Sequence, residues 1–191
     1  IGVYTPFGGA VDWGTKWPGR FELNHLTMRA IYIQPTVSFK LTENFGIGGG
    51  FVYNRGSVDL SRSIPLFDQN GNAGRAELNG VGIGMGYNIG VHYNLEEDFA
   101  ISLSYRSKVI TKLEDGNAEF TVPSAVASSF PNTKFSAELP LPASFNLGIS
   151  FPVGEKFDIA ADATMIGYSI YKKLVFDYED NTPFLSDTEQ S

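Results

Sequence analysis

His25 and His92 are the only imidazoles in the chain, and neither stands at metal-ligand spacing from another histidine or from a cysteine, of which there are none. A serine hydrolase would need a nucleophile motif such as G-x-S-x-G, which does not occur. Asp158 and Asp162 fall on one face of an extended segment but lie two pleats apart, a weak pair for general acid–base work. The glycine runs do not fit G-x-G-x-x-G and sit inside strand-like segments. Asp68-Gln69-Asn70-Gly71-Asn72 opens like a calcium loop. Ala73 then replaces the turn glycine and Asn79 the bidentate glutamate, so the stretch reads as a surface turn. Arg106 and Lys108 could hold a carboxylate by charge-assisted hydrogen bonds, or pair with Glu138, Asp158 or Asp162. These residues predict no catalytic group, no metal site and no cofactor.

The elements that carry these side chains share a period of two. Ile31, Ile33, Val37 and Phe39 alternate with Tyr32, Gln34, Ser38 and Lys40. Phe45, Ile47, Phe51 and Tyr53 oppose Gly46, Gly48, Gly50 and Asn54. The longest run sets Val81, Ile83, Met85, Tyr87, Ile89, Val91, Tyr93 and Leu95 against Gly80, Gly82, Gly84, Gly86, Asn88, Gly90, His92 and Asn94. Further runs place Phe99, Ile101, Leu103, Tyr105 and Val109 on one face. Two more do the same for Ala137, Leu139, Leu141, Ala143, Phe145, Leu147, Ile149 and Phe151, and for Phe157, Ile159, Ala161, Ala163 and Met165. Such alternation describes strands with one apolar face. With residues 1–7 as the tail of another, about seven strands are expected and little helix.

Several of these runs exceed the ~5–6 residues of an average soluble strand and reach the ~9–11 that a tilted membrane-crossing strand needs. The chain has 191 residues, 42% hydrophobic and only 18% charged, with 21 glycines. A net charge of −7 lacks the basic surface expected of a nucleic-acid binder. No apolar run is long enough for a membrane helix, which leaves crossing by strands. No leader-like basic and apolar segment opens the sequence.

The connections alternate too. Residues 42–44, 96–98 and 152–156 are tight, whereas 8–28, 56–79, 115–134 and everything after Tyr178 read as long loops. Short turns on one side and long loops on the other characterise outer-membrane barrels. Phe39, Phe45, Tyr93, Phe99, Phe151 and Phe157 flank the short turns as an interfacial girdle. The polar face then lines a lumen with Lys40, His92, Arg106, Lys108, Lys112, Glu138, Asp158 and Asp162. Its glycines imply a narrow or plugged interior, or relief of crowding where the wall curves. Leu60, Ile64, Leu66 and Phe67 in the second long loop, with Val122, Val126 and Phe130 in the third, form a candidate ligand groove.

The stretches TPFGGAVDW (residues 5–13), YNIGVHYNLEED (87–98), LSYRSKVITKLEDGNAEF (103–120), LPLPASFNLGISF (139–151) and DIAADATMIGYSIYKKL (158–174) resemble the FadL/TodX (OMPP1) family of outer-membrane long-chain fatty acid and hydrocarbon transporters. The resemblance implies an all-β, antiparallel transmembrane β-barrel in the bacterial outer membrane. It places residues 1–191 as one partial barrel domain, about the third to ninth of fourteen strands, with the N-terminal hatch and closing strands absent. It further implies a monomer, with a long-chain fatty acid or other hydrophobic small molecule and outer-membrane lipid as partners. The ligand would be captured at loops, passed to an internal pocket and released sideways at a kinked strand. Two departures stand out: the hatch with its asparagine-proline-alanine motif is missing, and Gly167-Tyr168 replaces a common tryptophan. The rival readings are a structural or adhesive barrel and, less favoured, an outer-membrane lipid hydrolase.

Overall fold

The computed structural model describes residues 1–96, 99–154, 156–170, 174–180, 182 and 188–190. They form one antiparallel sheet of β1 (Gly2–Asp12), β2 (His25–Gln34), β3 (Thr36–Lys40), β4 (Phe45–Phe67), β5 (Ala73–Glu96), β6 (Phe99–Arg106), β7 (Val109–Thr121), β8 (Thr133–Leu141), β9 (Ser144–Val153), β10 (Phe157–Ile166), β11 (Leu174–Tyr178) and β12 (Thr188–Gln190). The sheet curls into a half-barrel of seven wall strands. Most walls are two elements end to end: β2 with β3, β6 with β7, β8 with β9, and β10 with β11. The upper half runs β1-β2-β4-β5-β7-β8-β11, and below it β3, β4, β5, β6, β9 and β10 pair in turn.

One face of this wall meets lipid along its lower half. Ile31, Ile33, Phe51, Val81, Ile83, Met85, Tyr87, Ile89 and Leu147 are exposed on it. The aromatic girdle is present: Phe45 pairs with Tyr93 at 6.3 Å between centroids and Phe99 stacks on Phe151 at 6.0 Å. Residues 97 and 98 of the second short turn lie outside the described residues.

The long loops are shorter than the sequence reading has them. Residues 56–79 are mostly strand: β4 and β5 continue as a hairpin closed only by 68–72. Likewise β7 runs to Thr121, leaving residues 122–132 with one 3₁₀ turn at Ser124–Ser129. The cause is a reversal of polarity with height. Above the bilayer the outer face meets water, so Ser57 and Asp59 point out while Val58 and Leu60 point in. Alternation persists, but its apolar half is now internal.

A second cause is a slip of frame. Arg106 pairs with Ser144 and the next pair is Val109 with Leu141, so 107–108 and 142–143 are skipped on both strands. Inward parity is even in β6 and odd in β7, with the opposite change between β8 and β9. Ala137, Leu139 and Leu141 are therefore buried inside, while Phe145 and Leu147 face out.

Glycine in β5 serves close approach. A Cβ on Gly82 would lie 2.2 Å from the Lys112 carbonyl oxygen, and one on Gly84 would lie 2.8 Å from that of Ile110. Side chains there would push β7 off the wall. Relief of crowding accounts for these two positions.

Candidate functional site

The upper lumen is built from apolar side chains aimed inward, those of β7 and β8 by the slipped frame. Ala30, Tyr32, Val58, Leu60, Leu78, Val109, Leu113, Phe135, Leu139, Leu141 and Phe176 are all buried in one cluster. Beside it a cavity of about 490 Å³ opens between β1–β2 and the β8–β9 junction. Phe7, Met28, Leu139, Leu141, Pro142 and Tyr168 supply its apolar lining. That volume lies in the range of small-molecule sites.

Next to the cavity β1 carries one extra residue. Tyr4 pairs with Tyr32 and Phe7 with Ala30, so Thr5 and Pro6 together oppose Ile31. Proline lacks the amide hydrogen that a ladder needs, and the pairing breaks there.

A polar layer floors the site. Tyr4 and Tyr32 pack with centroids 5.8 Å apart, and Phe7 meets Tyr32 at 6.4 Å. The Arg106 guanidinium lies 5.3 Å from the Tyr4 ring centre and 5.8 Å from that of Tyr32. Tyr4 donates from its hydroxyl to Gln34 Oε1, and Asn54 Nδ2 donates to Thr111 Oγ1 at 2.5 Å. Tyr32 Oη, Asn54 Oδ1 and Ser144 Oγ are buried without a protein partner. Among the described residues no carboxylate pairs with Arg106. A cation one aromatic ring away from the cavity lining can hold the anionic end of an amphiphile that reaches past that ring.

Below this layer the lumen turns polar and small. His92 stands between Gly46 and Ser102 in the pairing, and Asn146 donates to Ser104 while accepting from Thr164. Asp162 opposes Gly148, whose Cβ would lie 2.9 Å from the carboxylate. Asp158 opposes Pro152.

Other predicted positions fall elsewhere. Lys108, within the slip, and Lys112 and Glu138, beyond it, point outward, not into the lumen; Lys112 meets Glu138 at 3.8 Å. Lys40 pairs with Glu43 at the lower turn, at 2.7 Å. Leu60 is only 2% exposed and belongs to the interior, not to a loop groove. Ile64 and Val122 flank Gly74, Phe67 meets Phe21 at 6.4 Å, and Phe130 meets Phe120 at 6.1 Å. Leu66 is half-buried at the tip of β4, and Val126 lies half-buried in the 3₁₀ turn. The sequence reading missed Phe7, Met28, Pro142 and Tyr168. The prolines at 6 and 142, inside otherwise regular runs, were the signal that could have found them.

A transport-protein family model, described as outer membrane protein transport protein (OMPP1/FadL/TodX), matches residues 1–190. The chain belongs to this family. The protein is therefore an outer-membrane β-barrel of a family of transport proteins, not enzymes. Among curated proteins none matches the chain. A solved FadL homologue from Pseudomonas aeruginosa superposes with a TM-score of 0.83 at 18% identity, over 98% of this chain and 50% of its own. The Ralstonia pickettii toluene transporter TbuX gives 0.72 at 13%, over 99% of this chain and 56% of its own. The monoaromatic hydrocarbon channel CymD gives 0.66 at 17%, over 98% and 55%. These likenesses establish the shared fold, and the chain spans about half the length of each of the three.

Proposed function

We propose that the protein takes up hydrophobic molecules passively across the outer membrane, with long-chain fatty acids as the substrate. The cavity beside the β1 irregularity carries this reading: its apolar lining includes Phe7, which packs on Tyr32, the ring that lies against the Arg106 guanidinium. An acyl chain gains by leaving water for that lining, and its carboxylate meets Arg106 through the aromatic layer. Apolar residues at the mouth, Ile64, Leu66, Phe67, Val122, Val126 and Phe130, make first contact. The irregular β1 is the sideways exit that the family resemblance implies. No bond is made or broken, so the steps need only staged, weak binding.

Aromatic hydrocarbons are the second reading. The names of TbuX and CymD favour it, as do the rings of Phe7 and Tyr168 in the lining. Arg106 separates the two, because a hydrocarbon has no charge for it to hold. Arg106→Gln in the full-length protein should weaken binding of a long-chain fatty acid by about tenfold or more, the worth of a charge-assisted hydrogen bond. Toluene binding should be unchanged. Equal fatty acid affinity for variant and parent removes the carboxylate role; tight toluene binding with weak fatty acid binding installs the second reading.

A further inference from the structure

The outer face carries a feature that uptake does not use. Along one row of the pairing stand Ile31, Arg55, Ile83, Lys112 and, at its far end, Glu138. The girdle pair Phe45 and Tyr93 lies ten residues further down β5, from 83 to 93. At ~3.3 Å per residue and ~45° tilt, that separates the two rows by about 23 Å of membrane depth, close to the ~25 Å of a barrel's apolar band. Ile83 and its neighbour Arg55 therefore stand near the outer-leaflet border. Immediately below it the wall is greasy, with Ile33, Phe51, Met85 and Tyr87 exposed.

Arg29 pairs with Ser57, which makes it a diagonal neighbour of Arg55 on the same outward face. Both are exposed, and neither joins an ion pair among the described residues. Asp59 is the nearest carboxylate by register, one pleat above Arg29 on the side away from lipid, and it too is outside every ion pair found among these residues. Two like charges side by side repel, and a protein gains from placing them there only if an external anion lies between. Gly8, opposite Arg29, leaves its outer flank bare.

We propose that Arg29 and Arg55 form a site for the phosphate-bearing headgroup of an outer-leaflet lipid. The guanidiniums grip phosphate oxygens in the bidentate manner that arginine favours, while the acyl chains lie on the apolar wall beneath. Cation above and grease below match an anchored phosphorylated amphiphile better than a free ion, which would gain nothing from the lower surface. The site stands on the outward face of the wall, where Arg29 and Arg55 are both exposed.

Full-length protein in mild detergent, titrated with bis-phosphorylated lipid A and followed by native mass spectrometry, tests this. The parent should retain the lipid, and the double variant Arg29→Gln/Arg55→Gln should bind at least about tenfold more weakly. Dephosphorylated lipid A should bind the parent as weakly as the variant binds the intact lipid, and millimolar inorganic phosphate should not displace it. Arg29→Lys/Arg55→Lys should bind more tightly than the glutamine variant but less tightly than the parent, since lysine keeps the charge without the bidentate fork, and Arg75→Gln, well above the border, should keep all of the affinity. Heat-modifiable migration on gels confirms that each variant is a folded barrel. Undiminished binding by a folded glutamine variant, equal binding of the dephosphorylated lipid, or displacement by phosphate overturns the proposal.

Discussion

Asp68 closes the β4–β5 hairpin by accepting three hydrogen bonds, from the amides of Asn70 and Asn72 at 2.8 Å each and from Asn72 Nδ2 at 2.9 Å. Gly71, at φ 78°, supplies the left-handed step. The Asn72 side chain, followed by its backbone amide, holds the Asp68 carboxyl below its usual range. A carboxyl whose pKa is depressed by folding adds stability above its unfolded pKa of ~3.9 and loses it as pH falls through the folded value. Hydrogen exchange across residues 68–72, corrected for intrinsic rates, should show protection that is steady from neutral pH to about pH 4 and collapses below it. Asp68→Ala should show weak protection throughout and no step. A parent turn equally protected at pH 2 would refute this. The turn itself was legible, because Asp-Gln-Asn-Gly is turn chemistry; that the strands reach it unbroken was not.

At the scale of the element the decisive feature is the paired skip at 107–108 and 142–143. Leu139 and Leu147 share parity, and a single uninterrupted strand would show both to lipid. The structure buries Leu139 at 5% exposure and leaves Leu147 at 42%. These 191 residues hold no cysteine, so a single cysteine placed among them is the one thiol of this segment. In membranes, Leu147→Cys should react with a bilayer-dissolved maleimide and Leu139→Cys should stay protected, with a contrast of tenfold or more in rate, on the order of the difference between open and closed sites. Equal labelling would restore the continuous frame. The skip, together with the change of polarity above the bilayer, explains what the sequence left illegible. Strand count, girdle and lower face follow from period two because lipid sees one face throughout. Period two cannot report which face is which once water replaces lipid outside, so Leu60 looked like a loop residue and Lys112 and Glu138 like lumen residues. Arg106, before the skip, lies against the Tyr4 and Tyr32 rings, and Lys108, two residues on, is exposed on the other side.

Across the whole molecule, the lumen has two halves of opposite character. Phe7, Met28, Leu139 and Leu141 surround the upper cavity, while Asn88, His92, Ser102, Ser104 and Asn146 line the lower face. A hydrophobic ligand loses its apolar contacts on moving down, about 25 cal/mol for each Å² returned to a polar surface, so descent through the lower half is uphill. The wall beside the cavity offers the alternative, where Thr5 and Pro6 oppose the single residue Ile31. Deleting Pro6 leaves Thr5 opposite Ile31 and restores a regular ladder, yet keeps Tyr4 and Phe7 on the inner face, since the alternation then passes through Thr5 alone. The deletion should therefore leave fatty acid binding within about twofold of the parent, the cavity lining being intact. Uptake in whole cells or proteoliposomes should slow several-fold. Separating the two readouts is what makes the experiment decisive, because loss of both would indicate a damaged cavity. Unchanged uptake by a folded deletion variant would mean the ligand crosses the polar lower half after all, and the irregular strand would then be a feature of curvature alone.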